Sequence, residues 1–267
     1  MSSKRREIPT YGSPIIETHC HLDYLKQDPL DDIIAKSRQQ GIEKIITIAV
    51  EPGNLDTVLD IARSRDHIWC SQGVHPHEAK QFTDEVAAKI KSRMSEEKVL
   101  AVGEIGLDYH YNHSPRDKQI KAFETQLEIA AETNMPVIIH SRDAEDDTIA
   151  ILKNHASKLS RKGVIHSFTS KIDLAKTAVE LGFHLGFNGI ITFKNAEDVR
   201  DAVRFCPVEN LLLETDAPFL APTPFRGREN APFYLPFVAE KMAELKNLPV
   251  DDLLSTVYQN SIKLFKF

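Results

Sequence analysis

The chain has 267 residues, with 33 Lys and Arg against 39 Asp and Glu, so its formal net charge is −6. Hydrophobic residues make up 42% and charged residues 27%, which is typical of a globular protein and excludes general disorder. No apolar run approaches the roughly 18 residues of a membrane span, and residues 1–14 lack the apolar stretch of a signal peptide. We therefore expect no membrane anchor.

The cysteine content indicates a reducing compartment. Cys20, Cys70 and Cys206 are an odd set without Cys-x-x-Cys spacing, which argues against a disulfide framework. We expect a cytoplasmic protein. Lys4, Arg5 and Arg6 lie on a short N-terminal arm, residues 1–13, and are interpreted as solvated charges. The negative net charge disfavours binding nucleic acid through a broad basic face.

Eight short segments rich in β-branched and apolar residues are predicted as strands. They are residues 14–19, 44–50, 67–74, 99–104, 136–140, 163–166, 184–188 and 210–216. Segments of helical period lie between them, at 29–40, 53–65, 83–94, 115–134, 143–157, 171–181 and 195–205, with two more near the C-terminus.

The clearest helix is 115–134. One face carries the apolar residues Ile120, Phe123, Leu127, Ala130 and Ala131. Ser114 is the expected N-cap, and Pro115 is expected at the first helical position.

Alternating strands and helices predict a parallel sheet covered by helices. Eight such units in a chain of this length fit an α/β fold of the (β/α)8 TIM-barrel type, with an extra C-terminal helix. No repeat or linker marks a boundary, so we expect a single domain over 1–267. The proline-rich stretch 217–236 follows the eighth strand and is interpreted as an ordered functional loop.

Side chains capable of chemistry cluster where the predicted strands end, which is where barrel enzymes place their active sites. On the first strand, Glu17, His19 and His21 share the inward face, while Cys20 points the other way. Glu104 lies between apolar neighbours on strand four, where an ionised carboxylate needs a partner. His140 and His166 end strands five and six, and Glu214 and Asp216 share a face at the end of strand eight.

Nitrogen and oxygen donors from several strands at one rim predict a metal centre. Four histidines together with Asp216 would overfill one tetrahedral ion, so we expect two divalent cations, with Mg²⁺, Mn²⁺ and Zn²⁺ left open. The predicted ligands are His19, His21, Glu104, His140, His166 and Asp216.

The other histidines divide by position. His67 and His184 start their strands and are expected at the opposite, structural end of the barrel. His155, His110 and His113 are also interpreted as structural. His75 and His77 follow strand three at the functional rim and are candidate substrate contacts. The candidate phosphate-binding bases are Arg142, Lys194, Arg226 and Arg228.

The chain closely resembles the TatD family of metal-dependent deoxyribonucleases, within the amidohydrolase-like barrels. The matching motifs run almost from end to end of the chain: His19-Cys-His-Leu-Asp23, Gly73-Val-His-Pro-His77, Val102-Gly-Glu-Ile-Gly-Leu-Asp-Tyr109, His140-Ser-Arg-Asp-Ala144, His166-Ser-Phe168, Gly189-Ile-Ile-Thr-Phe-Lys-Asn195 and Glu214-Thr-Asp-Ala-Pro-Phe-Leu220.

The resemblance implies one ion held by His19, His21, Glu104 and Asp216, and a second held by Glu104, His140 and His166, with Glu104 bridging. The family usually has Asp where this chain has Glu17, so the surroundings of the first metal are open to difference.

The predicted activity is phosphodiester hydrolysis at DNA ends, as an exonuclease, by a metal-bound hydroxide. Glu104 and Asp216 are the predicted catalytic residues, with Asp216 as general base. The expected partner is a nucleic-acid substrate, without a nucleotide cofactor.

Two alternatives remain open at this point. Two-metal barrels also hydrolyse carboxylic esters and amides, for example aminoacyl esters, and Arg142 with the Arg226 and Arg228 loop favours phosphate over these. The second alternative is a catalytically idle barrel that uses metal structurally, and the intact ligand set argues against it.

Overall fold

The computed structural model describes residues 6–267, and it contains all eight predicted strands. They are β1 (Ile15–Cys20), β2 (Ile42–Ile48), β3 (Ile68–Gln72), β4 (Val99–Asp108), β5 (Val137–Arg142), β6 (Gly163–Ile165), β7 (His184–Phe187) and β8 (Leu211–Leu213). Strand β4 runs four residues further than predicted. Lys4 and Arg5 lie outside the described residues.

The strands form one parallel sheet in the order β1 to β8. At the carboxyl ends the sheet closes on itself through two backbone hydrogen bonds: Asp216 N donates to His19 O at 2.9 Å, and His21 N donates to Ala217 O at 2.7 Å. Closure brings the end of β8 beside the end of β1. The predicted TIM-type barrel is therefore confirmed.

The intervening helices also match the predicted segments, with ends shifted by a few residues. They are α1 (Leu30–Gln39), α2 (Leu55–Arg63), α3 (Asp84–Arg93), α4 (Arg116–Thr133), α5 (Glu145–His155), α6 (Ile172–Glu180), α7 (Glu197–Phe205), α8 (Leu235–Lys246) and α9 (Val250–Phe265). Within residues 6–267, no helix combines the length and hydropathy needed to cross a membrane.

The predicted start of α4 is wrong in one detail. Pro115 is the N-cap residue, and the helix begins at Arg116. Ser114 does not cap the helix, because its hydroxyl donates to His77 O at 2.7 Å and accepts from Lys80 N at 3.1 Å. The serine therefore ties the segment after β4 to the segment after β3, and so supports the rim of the barrel.

The buried face of α4 also differs from the predicted one. Gln119 and Gln126 are fully buried, whereas Ile120 and Ala131 are only partly buried. The amide of Gln126 bonds both N and O of Val74, and that of Gln119 bonds both N and O of Asp108. Each glutamine thus satisfies backbone groups just past or at the end of a strand, which makes its burial favourable.

The barrel interior below the carboxyl rim is apolar. Inward-facing residues of the strands form one buried cluster with two residues from the end of α9: Ile46, Ile48, Leu100, Ala101, Ile138, Val164, Leu212, Leu264 and Phe265. The extra C-terminal helix therefore closes the amino end of the barrel. His184 begins β7 and His67 directly precedes β3, so both lie at this end, as predicted.

The N-terminal arm, where described, packs on the two C-terminal helices. Arg6 forms two hydrogen bonds with Glu240 of α8, at 2.6 and 2.5 Å, while its side chain stays 57% exposed. Ser13 N donates to the Asp251 carboxylate at 2.8 Å. The three cysteines are buried and free, in agreement with a fold without disulfides.

Candidate active site

Two histidines from β1 form one side of the candidate site. His19 and His21 lie almost completely buried with their ring centroids 5.2 Å apart, and Cys20 between them faces the backbone of β2. The alternation of side chains along an extended strand places both imidazoles on the barrel axis. This is the arrangement that the His-x-His spacing predicts.

Glu104 lies at the centre, and its two carboxylate oxygens face different histidines. Oε2 is 3.3 Å from His19 Nε2 and 4.0 Å from His21 Nε2. Oε1 is 2.7 Å from His166 Nε2 and 3.2 Å from His140 Nδ1. Burial alone would raise the pKa of Glu104, but the surrounding histidines hold it well below its usual range.

Asp216 lies beside His19 and His21, the two histidines that face Glu104 Oε2. Its Oδ1 lies 3.6 Å from His21 Nε2 and 3.8 Å from His19 Nε2. The residue follows β8 with a φ of 59°, a left-handed conformation that aspartate tolerates better than most residues. Burial acts to raise the pKa of Asp216, and hydrogen bonding with His21 and the charges of His19 and His166 lower it overall.

Hydrogen bonds on the far side of the rings fix which nitrogen faces the centre. His21 Nδ1 donates to Ile48 O at 3.3 Å, and His140 Nε2 lies 3.1 Å from Asp108 Oδ2. His166 Nδ1 points toward Glu214, 3.6 Å from Oε1. With the proton on the outer nitrogen, the inner nitrogen of a neutral His21 or His140 ring presents a lone pair.

Two further carboxylates lie beneath the rings. Glu17 Oε1 accepts hydrogen bonds from the backbone N of His19 at 3.1 Å and of Thr215 at 2.9 Å, so it joins β1 to the segment after β8. Burial raises the pKa of Glu17 to about 8. Glu214 accepts from Ser167 N at 2.5 Å, and only a glycine at position 186 leaves room for its other oxygen.

Asp108 supports the site although the sequence predicts no role for it, and His77, a candidate substrate contact, bonds to it. Asp108 is buried at the end of β4, and its Oδ2 bonds both His77 Nε2 at 2.9 Å and His140 Nε2 at 3.1 Å. The available signal was the spacing: Asp108 follows Glu104 by four residues in one strand, which returns it to the same face.

His75 reaches the centre from the segment after β3. Its Nε2 lies 3.3 Å from Glu104 Oε1, and its ring lies 4.5 Å from that of His140. The side chain is 12% exposed, against 1% for His19 and 3% for His166, so it lies closer to solvent. Burial lowers the pKa of His75 to about 4.

The four basic residues that are candidates for phosphate binding lie outside the central group of histidines and carboxylates. The Arg142 guanidinium lies 4.8 Å from the ring centre of Tyr111, which in turn contacts His77. The exposed Arg226 lies over Phe193 at 4.0 Å. Arg228 lines a small cavity of about 160 Å³ with Asp28 and Lys36, and Lys194 is exposed. Their contact with substrate remains a prediction.

The donor set fits divalent cations. Within residues 6–267, no lysine or arginine pairs with Glu104 or Asp216, although buried carboxylates need positive charge nearby. Both ring nitrogens of His19 are buried without a hydrogen-bond partner. Three groups have donor atoms close enough to share an ion: His19, His21 and Glu104; His19, His166 and Glu214; and His75, Glu104 and His140.

A parallel eight-stranded barrel with imidazoles and carboxylates converging at its carboxyl mouth defines a metal-dependent hydrolase. Residues 16–266 match the family model described as TatD related DNase. The chain belongs to the TatD family, and it is a metal-dependent hydrolase of this nuclease family, as its motifs predict.

Individual relatives agree with this assignment. The metal-dependent hydrolase YabD of Bacillus subtilis is 37% identical over 94% of this chain and 99% of its own length. The 3'-5' ssDNA/RNA exonuclease TatD of Erwinia amylovora is 33% identical over 88% of this chain and 93% of its own. The crystal structure of the TatD homologue YjjV of Escherichia coli has a TM-score of 0.88 at 32% identity, covering 95% of this chain and 98% of that one.

Proposed function

We propose that this chain is an exonuclease that hydrolyses phosphodiester bonds at DNA ends with two divalent cations. His19, His21, Glu104 and Asp216 would hold one cation, and Glu104, His140 and His166 the other. The observation that carries the proposal is the position of Glu104, whose Oε2 faces the first set of histidines and whose Oε1 faces the second. A carboxylate with its oxygens divided in this way is suited to bridging.

The chemistry divides between the cations and the side chains. Bound cations would lower the pKa of water and offset charge on the phosphoryl oxygens. Asp216, with its pKa held low, is ionised at neutral pH and is suited to accept a proton from the attacking water. Asp108 and Ile48 O hold the outer nitrogens of His140 and His21, so both rings stay fixed during turnover.

Phosphate is the favoured substrate group for two reasons. The Erwinia amylovora relative is named as an exonuclease on single-stranded DNA and RNA. In this chain, the basic side chains of Arg142, Lys194, Arg226 and Arg228 lie at or after the ends of strands at the mouth of the barrel. Arg142 lies on Tyr111 at the edge of the site, where a guanidinium can pair with a phosphate through two hydrogen bonds. The carboxylic ester alternative has no such support.

The proposal is tested with the purified chain and end-labelled single- and double-stranded oligonucleotides. Mg²⁺, Mn²⁺ and Zn²⁺ are added separately after treatment with a chelator, and an aminoacyl ester is assayed in parallel. We expect nucleotides to be released stepwise from one end, only with metal present. Glu104→Gln keeps the shape of the side chain and removes its charge, and His67→Asn at the opposite end of the barrel is the matched control.

Three outcomes would contradict the proposal. Internal cuts without stepwise release would exclude an exonuclease, and faster turnover of the ester than of the oligonucleotides would exclude phosphodiester specificity. A stoichiometry of one metal ion per chain in the fully active enzyme would exclude the bridging role of Glu104.

A further inference from the structure

His75 differs from His21 and His140 in the direction of its outer hydrogen bond. His21 and His140 direct a ring nitrogen outward to an acceptor, the Ile48 carbonyl and the Asp108 carboxylate. The outer nitrogen of His75 instead accepts: Nδ1 receives a hydrogen bond from the backbone N of His77 at 3.1 Å. A backbone N–H can only donate, so Nδ1 of His75 carries no hydrogen.

The consequence for the inner nitrogen follows directly. A neutral imidazole has one N–H, so the hydrogen of His75 is on Nε2, the atom that lies 3.3 Å from Glu104 Oε1. A nitrogen that carries a hydrogen has no lone pair to offer a metal ion. Nε2 of His75 is therefore a hydrogen-bond donor and not a metal-binding lone pair, although its distances to Glu104 and His140 would allow a shared ion.

The local backbone fixes the orientation of the His75 ring. His75 is the N-cap of a short 3₁₀ helix, Pro76–Gln81, and the imidazole satisfies an otherwise free N–H of its first turn. Pro76 has no N–H of its own, and the turn is held from the other side by Ser114, which bonds His77 O and Lys80 N. Turning the ring to expose Nδ1 would leave the His77 N–H without a partner, which is costly.

From this geometry we propose that His75 is not a metal ligand but a hydrogen-bond donor to oxygen anions at the centre. Its Nε2–H faces Glu104 in the free protein and a phosphoryl oxygen of the bound substrate during turnover. This step rests on the proposed phosphodiester substrate. The side chain of His75 is 12% exposed, between 18% for His140 and 1% and 3% for His19 and His166, so its Nε2 donor is accessible from the open rim. Donors aimed at developing negative charge are among the stronger contributions to catalysis.

Two substitutions test the roles of the two ring nitrogens of His75 separately. His75→Asn keeps an acceptor near Nδ1 for the His77 N–H but removes the inner donor, whereas His75→Gln can place an amide N–H near the position of Nε2 but loses the cap. We expect kcat to fall by about 10²-fold in His75→Asn and by clearly less in His75→Gln. Metal stoichiometry and affinity should stay within about twofold of the wild-type values in both variants, measured by elemental analysis and competition with a chromophoric chelator.

A second measurement needs neither a variant nor activity. In ¹H–¹⁵N spectra of the imidazoles of the zinc-loaded wild-type chain, His75 should show a protonated Nε2 and an unprotonated Nδ1. A protonated Nδ1, or a tenfold or greater loss of metal affinity in folded His75→Asn, would identify His75 as a ligand and overturn the proposal. If the wild-type chain fails to cleave oligonucleotides, the proposed function fails, while the spectra and metal analysis still decide whether His75 is a ligand.

Discussion

Asp108 accepts from Nε2 of His140 at 3.1 Å, while the other nitrogen of the same ring lies 3.2 Å from Glu104. The buried Asp108 carboxylate therefore determines which ring nitrogen of His140 is directed toward the centre. His77 shares the same oxygen at 2.9 Å, so the carboxylate is held from two sides.

Replacing Asp108 with Asn should weaken metal binding without unfolding the barrel. The amide keeps the size of the side chain but loses the charge that favours a proton on His140 Nε2. We expect the affinity for the more weakly bound of two cations to fall by about 10- to 100-fold, measured by calorimetric titration. Asp143→Asn is the matched control, because Asp143 is 65% exposed and pairs with the exposed His110 at 2.9 Å, which is not a predicted metal ligand. Equal losses in both variants would show that Asp108 has no special role.

Glu104→Ala should abolish nuclease activity while the chain stays folded. The substitution removes the carboxylate that faces both groups of histidines, and we expect kcat/KM to fall by at least about 10³-fold, roughly 4 kcal/mol. Near-ultraviolet circular dichroism checks the fold and elemental analysis counts the ions. Near-normal activity with two ions still bound would contradict the bridging role, and His67→Asn should leave turnover almost unchanged.

Arg142→Ala should distinguish between substrate classes. If the guanidinium pairs with a phosphate, its loss should raise KM for oligonucleotides and flatten the dependence of KM on salt, with metal content constant. An uncharged ester should be affected little. Because Arg142 lies on Tyr111, Tyr111→Ala should cause part of the same increase. Arg204→Ala, which removes an exposed arginine of α7, is the control. Equal losses on both substrate types would mean that Arg142 supports the architecture of the site.

His184 should make the folded state sensitive to mild acid. Burial lowers its pKa to about 4, and the charge of Lys263 adds to this, from an ordinary value of 6.5. The unfolded chain then binds a proton more readily, so this contribution is fully present above about pH 6.5 and is lost as the pH falls toward 4. The stability difference between wild type and His184→Gln should change by about 2 kcal/mol between pH 7 and pH 5. Denaturation curves that give the same difference in free energy of unfolding between the two proteins at pH 7 and at pH 5 would contradict this.

The architecture and the central side chains could be predicted from sequence because their signals are local. A buried parallel strand needs a short apolar run, and the polar residues at the end of that run lie toward the rim, which predicts the positions of Glu104, His140, His166 and Asp216. The burial of Gln119 and Gln126 could not be predicted, because their partners are backbone groups of distant residues at or past the strand ends. The orientation of His75 depends on a single backbone hydrogen bond, which residue spacing does not reveal.

The apolar cluster between the donor atoms and α9 closes the site from the amino end of the barrel. Ile138, Val164 and Leu212 with Phe265 form a floor that a hydrated ion would cross only at a cost of several kcal/mol. If the proposed function holds, metal ions, water and cleaved nucleotides exchange at the carboxyl rim and not through this floor. A product at the rim would then slow the escape of the cations beneath it, so we expect the exchange kinetics of metal and product to be coupled by the shape of the barrel.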